Sequence, residues 1–257
     1  MKTLRILLLA VAVLSLHSCD NITEEIHLNE DGSGECKFYS DMIPSIRLMA
    51  TQFSGILGDS TEVDTVQNED IEAYIWKDFP EGNIDSSFSY LELADSAENA
   101  TLTPEKRKLM ERIAGFMEGG KEKGYMNMGA KFSFRDLQDL QTLSEALQDN
   151  QKNETEMPGG DALNELQTDT RYSLKEGVFT RKTKFISKPK VNGEELKAYQ
   201  MMFGGKMKTI VYLPKKVVSA KGENISLKED RKVTLEYSML DYILGKTSGD
   251  FEIVMEK

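Results

Sequence analysis

The stretch from Tyr125 to Phe134 constrains this chain most. Met126, Met128, Ala130, Phe132 and Phe134 fall on one side of it, and Asn127, Lys131 and Ser133 on the other. That period of two marks a strand with one buried face. Met stripes also line adaptable binding grooves, but Met alternating with Phe along a strand is the pattern of a core face. A second period of two flanks residues 29–34. Ile26 and Leu28 alternate with polar neighbours before it, and Cys36 and Phe38 do so after it. Asn29 to Gly34 then reads as a hairpin turn in which Asp31 and Gly32 supply positive φ angles. A calcium loop is excluded there, because aligning Gly32 with the loop glycine puts His27 and Phe38 where carboxylates are needed.

Helical signals interrupt the first half. Asp41 caps a helix with Pro44 in its first turn and Ile43, Ile46, Met49, Phe53 and Leu57 on one face. Strands are expected over 71–76 and 87–93. Thr103 and Pro104 open a second helix, with Leu109, Met110, Ile113 and Phe116 inward and Gly119 and Gly120 ending it. A third runs over 136–149 with Leu137, Leu140, Leu143 and Leu147 on one stripe. Residues 150–169 lack a period, contain Pro158, Gly159 and Gly160, and read as a mobile loop. Beyond it strands over 172–174 and 178–186, a short helix over 194–202 and a strand over 206–213 lead into a meander ending at 251–255. The class expected is α+β: a mainly antiparallel β-sheet, two or three amphipathic helices in the N-terminal half and a C-terminal β-meander.

The first residues are not part of that domain. Lys2 and Arg5 precede an apolar run over 6–14, and Ser18 stands before Cys19. The run is well short of the roughly 20 apolar residues a spanning helix needs, so it reads as a cleaved secretory signal. Leu16, His17, Ser18 and Cys19 resemble a bacterial lipobox, where lipoprotein signal peptidase cuts before a lipidated cysteine; His17 stands where a small or β-branched residue is usual. An ordinary signal with an incidental cysteine is the competing reading, and the agreement of Leu16, Ser18 and the two regions before them favours the lipobox. The resemblance implies a diacylglyceryl thioether and an N-acyl chain on Cys19. Two or more chains anchor stably where one binds marginally. The expected organisation is a signal peptide over 1–18, the lipidated cysteine and a polar spacer over 19–25, and one α+β domain over 26–257. Cys36 shares a face with Phe38 and reads as a buried thiol, without a disulfide partner once Cys19 is acylated.

Charge is unevenly spread. Residues 19–170 carry 12 Lys and Arg against 32 Asp and Glu, whereas 171–221 carry 13 against 3. Either the two regions lie close in the fold or one of them meets a charged partner. Alternation puts Lys182 and Lys184 on one strand face and Arg181, Phe179 and Phe185 on the other, while Lys206, Lys208 and Tyr212 share a face of a later strand. If those strands are neighbours, Arg181, Lys182, Lys184, Lys206 and Lys208 form a cationic patch for anionic lipid, glycan or an envelope protein. A solvated face balancing the acidic half is the plainer alternative.

Catalytic signatures are lacking. His27 is the one histidine after Cys19, and no Gly-x-Ser-x-Gly elbow, paired-His or Cys-x-x-Cys metal motif, or phosphate-cradling loop accompanies it. No catalytic residue, metal or cofactor is therefore assigned. Trp76, the single tryptophan, offers little sugar-stacking surface around any acid pair. Nucleic acid does not suit an acidic protein outside the cytoplasm.

Val211 to Gly222 and Lys232 to Tyr237, together with the hairpin after the lipobox, resemble the LppM-type domain of bacterial envelope lipoproteins. Members of that family are α+β domains tethered at the envelope, some thought to handle lipids, and many have a C-terminal membrane helix that the residues up to Lys257 lack. Typical members show Gly where Lys215 or Lys216 stands here. Composition and lipobox also resemble Bacteroidetes surface or outer-membrane lipoproteins. The function expected is a lipid-anchored envelope module that binds or supports; a surface hydrolase with an unlocated carboxylate pair is the alternative.

Overall fold

A computed structural model of the chain describes residues 21–44, 46, 76–77, 79, 81–89, 91, 103–153, 165–191 and 193–257. The signal segment, Cys19, most of the helix expected over 41–57, the strand expected over 71–75 and the middle of the expected 150–169 loop lie outside them. In chain order the strands are β1 (Asn21–Leu28), β2 (Gly34–Asp41), β3 (Asn83–Ser89), β4 (Ala114–Gly120), β5 (Tyr125–Phe134), β6 (Gln167–Lys175), β7 (Val178–Ser187), β8 (Lys206–Tyr212), β9 (Val217–Lys221), β10 (Ile225–Lys228), β11 (Lys232–Ser238) and β12 (Phe251–Met255). Helices α1 (Pro104–Met110), α2 (Leu137–Asn153), α3 (Gly193–Phe203) and α4 (Met239–Ile243) lie between them.

The fold is α+β and mainly antiparallel. Eight strands form one sheet in the order β10-β11-β8-β1-β2-β5-β4-β3, and four form a second in the order β6-β7-β12-β9. The parallel β1–β8 pair, with Asn21 opposite Lys206 and His27 opposite Tyr212, joins the N-terminal strand to the basic region. Ile26, Leu28, Cys36, Val211 and Leu235 of the large sheet share one core with Phe179, Phe251 and Ile253 of the small one. The Leu140, Leu143 and Leu147 stripe of α2 joins that core.

Several boundaries differ from the sequence reading, each for a physical reason. Residues 21–25 of the expected spacer are strand, since β1 begins at Asn21. Asp31 does not take a positive φ; Gly32 does, at 84°, and the Asp31 carboxylate instead accepts from the Ser33 amide at 3.0 Å and hydroxyl at 2.6 Å. The second helix stops at Met110, and residues 114–120 pair as β4 between β3 and β5. Gly115, Gly119 and Gly120 each disfavour helix by about 1 kcal/mol, and glycine lets aromatics lie over the backbone. Phe88 sits opposite Gly115, Phe116 and Tyr39 opposite Gly129, and Phe134 opposite Gly34. Trp76 lies in a helical turn rather than a strand, and β3 starts at Asn83. The C-terminal strands are not a simple meander: β8, β10 and β11 belong to the large sheet, β9 and β12 to the small one.

Candidate functional site

Between the two sheets the core turns polar. Even-numbered residues of β1 face inward, so Glu24 follows Ile26 into the interior and is 4% exposed. Arg181, on the β7 face shared with Phe179, is also 4% exposed and donates through Nη1 to Glu24 Oε2. Thr209 Oγ1 donates to the same carboxylate oxygen at 2.9 Å, and Tyr172 OH to Oε1 at 3.2 Å. Arg181 Nη1 also lies 3.3 Å from Thr209 Oγ1, and Nη2 donates to Tyr237 OH at 3.4 Å. Burial opposes the arginine's charge, yet the Glu24 carboxylate holds the guanidinium protonated well above its ordinary range. Burial, with the field of Glu24, pushes the Tyr172 phenol far up, and burial raises Tyr242 as well. Both phenols are therefore neutral donors at physiological pH.

This network is one wall of a small cleft of about 60 Å³. Phe38 and Met207 supply apolar surface, Tyr172 and Tyr242 aromatic surface, and Gln141, Ser144 and Glu145 of α2 and Thr168 and Thr170 of β6 polar edges. Two buried polar atoms of cleft residues have no hydrogen-bond partner among the described residues, Arg181 Nε and Ser144 Oγ. A buried donor without an acceptor costs about 1–3 kcal/mol.

The other notable polar groups are structural. Asp139 in the first turn of α2 accepts from Arg112 at 2.6 and 2.5 Å, from the Arg135 amide at 2.9 Å and from the Arg135 side chain at 3.3 Å. The Arg112 bonds, then those from Arg135, hold its carboxyl far below the usual range against the cost of burial. His27 lies on the outer sheet face, stacked on Tyr212 with centroids 4.3 Å apart, its Nε2 2.5 Å from Glu25 Oε1. Cys36 is fully buried, and burial followed by the field of Glu24 pushes its thiol well up.

The residues of the expected cationic patch are not brought together. Arg181 is interior. Lys182 and Lys184 lie on β7 of the small sheet, whereas Lys206 and Lys208 lie on β8 of the large one. Lys182 reaches Asp250 at 3.7 Å and Lys206 reaches Glu236 at 2.5 Å. The acidic and basic regions do meet, through the β1–β8 pair and the Glu24–Arg181 bond. Cys19 lies outside the described residues. Sequence reasoning missed Glu24, Ser144 and Tyr172 as site residues.

No protein-family model matches this chain, and no curated protein matches it. Among solved structures it is similar to the folded domain of LppM from Mycobacterium tuberculosis, at 11% sequence identity and a TM-score of 0.34, over 92% of this chain and 88% of that one. So slight a likeness carries no functional weight.

Proposed function

We propose that this chain is a lipid-anchored cell-envelope protein, tethered through Cys19, whose domain binds a ligand in the cleft between its sheets without turning it over. The observation that carries the reading is the pair of unpartnered buried polar atoms, Arg181 Nε and Ser144 Oγ, on a cleft with aromatic walls. Glu24 already neutralises Arg181, and Glu145 adds negative charge at the cleft. An anion gains little there. The group that fits is an uncharged acceptor on an apolar stem, such as an amide or ester carbonyl, taking the Arg181 Nε–H and the Ser144 hydroxyl.

The cleft also holds two carboxylates in unlike settings, buried Glu24 and exposed Glu145, which is the feature a hydrolase reading requires. Glu24 is engaged by Arg181, Thr209 and Tyr172, however, and so is not free to meet a substrate. Binding is thus the better fit. Anionic lipid, glycan or an envelope protein meeting the separate lysine strips of the outer faces belongs to the same reading; Glu substitutions at Lys182, Lys184, Lys206 and Lys208 test it by retention on anionic vesicles and envelope extracts.

The cleft is tested with small probes. In the full chain carrying ¹³C-methyl methionine, N-methylacetamide should shift the Met207 signal, acetate should not, and Ser144→Leu should abolish the response. No shift, or the same shift in Ser144→Leu, contradicts a carbonyl site.

A further inference from the structure

We infer that the end of the sandwich built around Asn21, α3 and α4 rests against the bilayer that holds Cys19. The inference depends on the anchor reading and adds an orientation to it. β1 begins at Asn21, two residues past Cys19, and two residues reach at most about 7 Å. The acyl anchor therefore leaves no room for a spacer: whatever surrounds the start of β1 lies at headgroup level.

The structure identifies those surroundings. Ile22 packs with Phe203 at the end of α3 and with Met239 and Ile243 of α4. β8 starts beside Asn21 at Lys206, and β11 ends beside Lys206 at Ser238. Exposed lysines border this end: Lys206 and Lys246, each with 63% of its side chain exposed, and Lys197 of α3. Glu236 and Asp241 pair with two of them. A mixed face with protruding ammonium groups suits an anionic headgroup layer better than an apolar interior, so the domain lies on the surface and does not insert. No helix among the described residues is long and apolar enough to cross a membrane.

The opposite end is the turn at residues 29–33, seven steps along β1, which at 3.3–3.4 Å per residue stands about 23 Å further from the anchor. The cleft belongs to the near half: Glu24 is three steps from Asn21, Met207 is the second residue of β8, and Tyr242 is in α4. A ligand entering it does so close to the membrane surface.

The test uses the full acylated chain in vesicles of phosphatidylethanolamine and phosphatidylglycerol with a headgroup-attached quencher. A fluorophore is placed at Lys246→Cys in one variant and Ser33→Cys in another; Cys36 is buried and does not compete. Quenching should be several-fold stronger at position 246 than at 33. A long Gly/Ser insert between Cys19 and Asp20 should bring position 246 down towards the level of 33. Equal quenching at the two sites in a chain whose mass shows acylation overturns the orientation alone. A chain lacking acyl mass overturns the anchor and the orientation with it.

Discussion

Arg181→Met removes the charge that compensates Glu24 in the interior, and the structure sets the size of the effect. Breaking one side of a buried ion pair costs about 3–5 kcal/mol, because an uncompensated charge is left behind. Thr209 and Tyr172 still donate to Glu24 after the substitution, which puts Arg181→Met near the lower end, about 3 kcal/mol. Glu24→Leu strands a guanidinium that, among the described residues, keeps Thr209 and Tyr237 as hydrogen-bond partners, and should cost about 4–5 kcal/mol. The double variant leaves no charge in the site. Its remaining loss is the unmet hydroxyls of Thr209 and Tyr172, about 1 kcal/mol each. It should therefore be more stable than either single variant, a coupling of several kcal/mol. Urea unfolding of the detergent-solubilised full chain, with the slope checked for constancy across the four proteins, measures the cycle. A double variant that loses the sum of the two single losses would refute the coupling and, with it, the claim that the charges meet in the interior.

Asp139→Asn removes a carboxylate bound by Arg112 and Arg135 and should cost about 2 kcal/mol at neutral pH, since Arg112 is partly solvated. The carboxyl is depressed in the folded protein, so its contribution is complete above its unfolded value of about 3.9 and is lost as pH falls towards the folded value. Wild type and Asp139→Asn should consequently converge in stability on acidification below about pH 4, seen by unfolding curves across pH. At Gly129 an added Cβ would fall 1.9 Å from the Phe38 carbonyl oxygen and 2.7 Å from Tyr39 Cα. Backbone atoms cannot step aside, so Gly129→Ala should lose about 3 kcal/mol of unfolding free energy, or fail to fold. Cys36 should resist maleimide in the native protein and react fully in denaturant; rapid native labelling would contradict its burial.

Much of the β-structure was legible because one face of nearly every strand is buried, and burial writes a period of two. β5, the hairpin at β1–β2, and the strands from Lys206 onward could be read this way. The site was half legible. The inward face of β1 runs Ile22, Glu24, Ile26, Leu28, but a charged residue beside an anchor looks like a spacer, so the sequence shows the alternation only from Ile26 on. On β7, alternation puts Arg181 on the apolar face with Phe179, and a guanidinium on a core face calls for a buried carboxylate; its lysine neighbours in sequence mask that signal. Which carboxylate answers it depends on β1 lying parallel to β8 and beneath β7, contacts more than 150 residues apart in sequence that no local pattern encodes. The mistaken end of α1 had a local sign in Gly115, Gly119 and Gly120, whose pairing with aromatics across the sheet becomes visible only once the register is known.

The most direct test of the whole account is native mass spectrometry of the full chain taken from membranes in mild detergent. The account predicts a polypeptide beginning at Cys19 with added acyl mass, together with a small non-covalent adduct that Ser144→Leu loses. A chain without acyl mass, or an adduct that persists unchanged in Ser144→Leu, would contradict it.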